Sequence, residues 1–362
     1  MSASESLLIR RLRFWLIVAM VCTHTDLRTV CSSLSNLPLF AAVTDVFVDL
    51  ICRAAVPLLS IFSGYLFYIN ARKRTYVEQL QHKSMTLLVP YVLWNIICII
   101  IVALCQAVVP SFRLLLHKAV SDCTLTDFLW MFWDISRATG LDTDQHGPII
   151  GQFWFLQSLM VLIIFTPLLR PLVSKVPYII LPTLFVVDVL QLIPPLPGIH
   201  IGIYFYFILG AVIALHRPHF TPLLKQWGWI ALPFLIITYI LKRHLMPSLP
   251  DGLYIVEKLL MAVSILWLTW KVLNRHSDRS HNDTVMQIFL TSGSFFVFAF
   301  HRFVSAVSTN LARNGHLPID NSLSALAVYI LSTAAVIFIC LAVYTFMKRF
   351  LPSITSMLTG GR

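Results

Sequence analysis

Apolar positions along this chain neither alternate nor follow a single helical stripe; they gather into runs of roughly twenty residues separated by short polar breaks. The runs lie near 12 to 30, 46 to 69, 85 to 109, 151 to 169, 178 to 194, 199 to 216, 227 to 245, 254 to 273, 285 to 307 and 323 to 346. Runs of this length match what an α-helix needs to cross the hydrocarbon core of a bilayer. Helix is also the state that satisfies its own backbone there, because an open strand leaves N–H and C=O groups unpaired in lipid. The pattern predicts an all-α, polytopic membrane bundle of about ten spans, formed as a single domain over residues 1–362. No internal repeat interrupts it.

Composition sharpens this picture. Hydrophobic residues make up 58% of the chain and charged residues 12%, with a mean hydropathy of +0.80, which excludes an ordinary soluble domain. The formal net charge of +11 would suit nucleic acid, but the cations occupy short breaks between apolar runs instead of one continuous basic face, so nucleic acid is not an expected partner. They read as orientation signals. With the N-terminus inside, Lys and Arg divide seventeen to seven in favour of the inner segments, with Arg53, Lys258 and Arg302 inside spans. Both termini are therefore expected in the cytoplasm.

Met1 to Arg13 looks like the basic region of a secretion signal, yet no small-x-small cleavage site follows and many more spans do, so it is expected to remain as the first helix. The longest polar break, about 110 to 151, is placed outside. Its Phe128-Leu-Trp-Met-Phe-Trp133 stretch and its turn-prone 138–148 run suit an interfacial helix and a loop, serving either as a cover over an acceptor site or as a plain connector. The seven cysteines show no metal-binding spacing and read as packing residues, although Cys31 and Cys123 could meet outside the membrane.

Candidate chemistry begins in the first run. Arg13 and His24 are eleven residues apart, almost three helical turns, so they share one stripe at a separation of roughly 16 Å along the axis. That geometry suits a long anionic ligand. A topology-setting arginine and an interhelix histidine are the bland alternative. Asp49 and Arg53 are four apart and can neutralise each other on one face. Ser63 precedes Gly64 in a small-residue pair suited to close helix contact, which argues against a nucleophile.

The stretch Arg53-Ala-Ala-Val56-Pro57-Leu-Leu-Ser-Ile-Phe-Ser63-Gly64-Tyr65-Leu66 resembles the second-helix signature of the acyltransferase-3 family of integral-membrane acyltransferases. A basic residue and a histidine with ten residues between them, as in Arg13 and His24, is similar to the family's first-helix hallmark. Val89-Pro90-Tyr91-Val-Leu-Trp94, Phe153-Trp154-Phe155-Leu156, Phe207-Ile-Leu209-Gly210 and Ser294-Phe295-Phe-Val297-Phe298-Ala-Phe-His301 resemble further family patterns in the same order. There are departures: Lys83 fits the first of two basic residues before the third helix, but Thr86 stands at the second. Gln152 replaces a frequent His, and Phe298 replaces the usual Tyr.

The resemblance implies transfer of an acyl group, most often acetyl from acetyl-coenzyme A acting as co-substrate, to a hydroxyl of a surface polysaccharide, exopolysaccharide or lipid-linked sugar at the bacterial inner membrane. Coenzyme A carries phosphates at one end of a long arm and a thioester at the other. Arg13, Arg53, Lys83, Arg72 and Arg74 are the expected donor-binding cations, His24 and His301 the expected catalytic groups, and Trp154 and Trp94 the expected acceptor platforms. Arg302 could stabilise developing negative charge or snorkel to the interface. No metal and no permanently bound cofactor is expected. A secondary transporter or flippase is the rival class, weakened by the absence of paired half-repeats and matching broken helices.

Overall fold

The computed structural model of the protein describes residues 1–29, 31–71, 74–110, 112, 116, 118–139, 146–194, 196–242, 254–275 and 284–361. Among the described residues each apolar run is helical over most of its length, and the only β-pairing is an isolated bridge between Leu196 and Ile199. The principal helices are α1 (Ala3–His24), α2 (Pro38–Asn70), α3 (Tyr76–Val108), α4 (Gly151–Ile164), α5 (Thr166–Lys175), α6 (Pro177–Val189), α7 (Ile201–His216), α8 (Thr221–Ile240), α9 (Tyr254–Arg275), α10 (Val285–Arg313), α11 (Ser322–Phe350) and α12 (Pro352–Thr359). This is an all-α membrane protein.

The spans differ from the sequence expectation in instructive ways. Among the described residues, α2, α3, α8, α10 and α11 are long and apolar enough to cross a bilayer on those grounds alone. Helices α1 and α9 are long enough but carry several charges, and α6 and α7 are short. The run at 151 to 169 is not one straight helix: α4 and α5 meet at 76°, where Phe165 caps the first and Pro167 opens the second. Proline lacks the N–H that would continue the α4 ladder, so the chain turns there.

Two other prolines leave similar marks. Within α2 a π-helical turn (Asp45–Ile51) passes into a tight 3₁₀ turn (Cys52–Ala54) before regular helix resumes at Ala55. Pro57 cannot donate to the carbonyl of Arg53, four residues earlier. In α3 a π-helical turn (Ser84–Leu88) precedes Pro90, which likewise cannot serve Thr86. Both irregular turns carry residues of the candidate site.

The bundle is tightest where α2 meets α7. A Cβ on Gly64 would stand 2.0 Å from the Phe207 carbonyl oxygen, and one on Gly210 would stand 2.1 Å from that of Ile61. Each glycine admits the other helix's backbone, the packing that small residues permit between membrane helices. The polar break after α3 contains a short helix (Leu125–Met131) capped by Thr124, with Lys118 Nζ 2.8 Å from Asp127. It is tied down by Ile149 N–H donating to Met131 O at 2.8 Å, by Gln157 Nε2 donating to Trp133 O at 2.8 Å, and by the Tyr91 hydroxyl donating to Phe132 O. All seven cysteines are free thiols. Cys31 faces Ala312 O and Cys123 faces Ala119 O, so the pair that could have met outside the membrane does not.

Gly64→Ala is expected to lower stability by at least 1–3 kcal/mol, the usual cost of overpacking, measured as thermal unfolding in a fixed detergent. Ser63→Ala, one position away at a half-buried residue that lines a cavity, should change it little.

Candidate active site

Two cavities open along α1, one against its middle (Ile9, Arg13 and Ile17) and one against its C-terminal end (Met20, Thr23 and His24). The first, 360 Å³, is lined by Arg13 of α1, Ser63 of α2, His82, Lys83 and Thr86 of α3, and Ser294 of α10. The second, 520 Å³, is lined by His24 of α1, Arg53 of α2, Gln152 and Trp154 of α4, His200, and Lys258 of α9. Phe155 lines both. One helix thus presents a cation to one cavity and an imidazole to the other, roughly 16 Å apart along its axis, with an aromatic side chain in the wall between.

Arg13 is half-buried and has no carboxylate within 4 Å among the described residues. An unpaired guanidinium inside a bundle is costly unless water or an anionic ligand reaches it. His82 and Lys83, which line the same cavity, end the regular helix just before the irregular turn of α3. Arg74 is exposed and lines neither cavity. Arg72 lies outside the described residues.

Arg53 belongs with the other cavity. The 3₁₀ turn holds it so that Nη2 lies 2.9 Å from Asp49 Oδ1, and Asp49 Oδ2 in turn lies 3.0 Å from Arg28 Nη2. Arg28 also binds Asp26 at 2.7 Å and Asp45 at 2.8 Å. The expected Asp49–Arg53 pair is therefore one edge of a five-residue network that fastens the chain beyond His24 to the first turns of α2. The family resemblance put Arg53 among the expected donor-binding cations; the structure separates it from Arg13 and sets it on the His24 side. The network's centre, Arg28, was read only as an orientation charge, although the carboxylates at 45 and 49, one helical turn apart, were a signal for a shared cation.

His24 faces the larger cavity, and its ring centroid is 5.2 Å from that of His301, at an interplanar angle of 34°. His301 is fully buried. Its Nδ1 sits 3.1 Å from Val297 O and 2.9 Å from Phe298 O. Carbonyl oxygens only accept, so Nδ1 carries the hydrogen and Nε2 keeps its lone pair. That Nε2 has no hydrogen-bond partner among the described residues. Gln152 is equally fixed: its amide nitrogen donates to Ala299 O at 3.1 Å and Phe298 O at 3.4 Å, leaving Oε1 buried without a donor. Buried polar atoms are rarely left unpaired without reason. Arg302 is half-buried and lines neither cavity.

The two tryptophans part company. Trp154 lines the His24 cavity with its ring 4.6 Å from that of His200, whose Nδ1 is 3.0 Å from Ser158 Oγ. Trp94 is buried against Phe296, and its indole N–H donates to Leu358 O at 3.0 Å. It lines neither cavity, so its place is in the core. Sequence reading missed His200, Asp188 and Gln191, which line the same cavity as Trp154. None of the described residues of the polar break after α3 lines either of these two cavities; Trp133 instead packs near Gly198, supporting the turn that carries His200. The described residues hold no group of three metal-ligating side chains.

A helical membrane bundle with a cationic cavity, an imidazole-bearing cavity and a shared wall is suited to moving a group between two substrates. The chain belongs to the acyltransferase-3 family: the family model, described as an acyltransferase domain, matches residues 9–345. It is similar to the succinoglycan biosynthesis protein ExoH of Rhizobium meliloti (strain 1021), with 28% identity over 256 residues, 69% of this chain and 65% of that relative. The match thus spans a little under two thirds of the relative's length. No solved structure matches the chain.

Arg28→Ala leaves Asp26, which is 3% exposed, without its cation. The substitution should destabilise the protein by about 3 kcal/mol, seen as a lower melting temperature, and Asp26→Asn in the same background should recover part of the loss.

Proposed function

We propose that the protein is a membrane O-acyltransferase that moves an acetyl group from acetyl-coenzyme A to a hydroxyl of a surface polysaccharide, exopolysaccharide or lipid-linked sugar. The observation that carries this reading is Arg13, without a carboxylate within 4 Å among the described residues, in one cavity and His24 in the other, on one helix and divided by Phe155. Similarity to a protein of succinoglycan biosynthesis supports a glycan acceptor. The positive-inside bias supports a cytoplasmic position for the Arg13 cavity, at an inner membrane, on the side where the donor is made.

In this reading the phosphates of the donor meet Arg13 and Lys83 at the rim, and the thioester arm runs along α1 toward the wall. The acceptor hydroxyl enters the His24 cavity, with Trp154 as a stacking surface. His24 takes the hydroxyl proton as the oxygen attacks the thioester carbon. The new C–O ester bond forms as the C–S bond breaks, and the proton passes to the departing thiolate. The lone pair on His301 Nε2 can accept an N–H from His24 and so keep the opposite nitrogen of His24 free to act as base. His301 is then a positioning residue. Arg53 and Lys258 give the acceptor side its polar contacts.

With purified protein in lipid, labelled acetyl-coenzyme A and envelope glycan, His24→Ala should lower kcat by about 10²–10⁴-fold while donor binding persists. Arg13→Ala should weaken donor binding roughly tenfold or more, the loss of a charge-assisted contact. Equal transfer by all three proteins would show that α1 does not carry the chemistry, and a wild type that neither binds donor nor transfers label would favour glycan transport.

A further inference from the structure

Helix α12 turns back under the bundle after α11. Thr355, Leu358 and Thr359 are buried, and Leu358 O accepts the Trp94 indole N–H at 3.0 Å. The helix closes with Gly361 N–H donating to Ser356 O at 2.8 Å and Gly360 N–H donating to Met357 O at 3.3 Å. Both glycines have left-handed backbones, with φ of 67° and 72°, the conformation that ends helices and that glycine adopts without strain. This turn ends in a functional place: Gly360 and Gly361 line the same cavity as Arg13, His82 and Lys83.

Gly360 also touches the irregular turn of α3. A Cβ there would stand 2.5 Å from Thr86 O and 3.0 Å from the Thr86 carbonyl carbon and Cα. No L-residue fits without moving backbone, because the contact is main chain against main chain. Thr86 is the position at which the resemblance calls for a second basic residue. The structure puts the backbone of the α12 turn against it, one wall of the cavity built from two pieces of chain far apart in sequence. At Gly361 a Cβ would meet nothing within 4 Å, so that edge is open.

We infer that α12 and its glycine turn form a wall of the donor site, and that affinity for a coenzyme A thioester is set by how closely this turn seats on Thr86. This inference rests on the donor assignment of the Arg13 cavity. A chain segment with no side chain at its tip can approach Lys83 and Arg13 closely while leaving the cavity wide enough for a long, narrow, anionic arm. The indole of Trp94 fixes the height of the segment: its N–H occupies one of the last carbonyls of α12, a group that otherwise has no helical donor. The core position of Trp94 is thereby linked to donor binding through α12, without contact between the tryptophan and a substrate.

The test uses the full chain in lipid nanodiscs and a non-transferable thioether analogue of acetyl-coenzyme A, with direct binding read alongside KM for donor and for acceptor. Gly360→Ala should weaken analogue binding roughly tenfold or more and raise the donor KM in step, while the acceptor KM stays as in the wild type. Trp94→Phe, which keeps an aromatic ring but loses the N–H, should give a smaller shift of the same donor-selective kind and decides the matter if Gly360→Ala does not fold. Analogue binding to the wild type that neither folded variant weakens overturns this inference alone. Loss of donor and acceptor affinity in equal measure also overturns it, since general loosening of the bundle would do that. Absence of analogue binding to the wild type overturns the donor assignment and this inference with it.

Discussion

A charge inside a membrane bundle must find a partner, water or a ligand, and the arrangement of this protein follows from how each charge meets that requirement. On the His24 side, Arg28 and Arg53 are satisfied by Asp26, Asp45 and Asp49. On the other side, Arg13 has no carboxylate within 4 Å among the described residues and faces a cavity. The first group holds the chain in place; the second is free to hold something else. The same distinction separates Glu257, which lies 3.9 Å from Lys242, from Lys258, which lines the larger cavity and rests on the Tyr254 ring.

Regular helix alone would not deliver these side chains. Pro57 and Pro90 each sit four residues past a residue of the site, Arg53 and Thr86, and each accompanies a departure from α-helical winding. Wider and tighter turns rotate the residues they contain, and that rotation aims Arg53 at the His24 cavity and brings Thr86 to the α12 turn. Glycine acts in the complementary way, at Gly64, Gly210 and Gly360, by letting backbones meet where a methyl group would keep them apart.

Much of this was legible in the sequence because hydrophobic run length is a direct record of bilayer thickness. The helical state of every run, the shared face of Arg13 and His24, the Asp49–Arg53 pair and the close packing at Gly64 follow from periodicity and residue size. What escaped depends on distances between segments. That Arg53 lines the His24 cavity, that Trp94 is buried with its indole N–H on the Leu358 carbonyl, and that Arg28 gathers three carboxylates are facts of tertiary packing, which local spacing does not encode. The bend between α4 and α5 was a partial miss: Pro167 marked it, but the run of apolar residues through it masked the turn.

The position of Phe155, touching both cavities, has an electrical consequence. Where water fills a cavity, it carries the potential of its own side into the protein, so the voltage across a membrane falls mainly over the unhydrated layer that remains. With both cavities hydrated, the layer between them beside Phe155 would be thinner than the roughly 30 Å of a bilayer core. A proton or partial charge shifted across it crosses much of the membrane voltage, which is worth about 2.3 kcal/mol per unit charge for each 100 mV. In that state a voltage across the membrane would act on any charge that moves beside this ring.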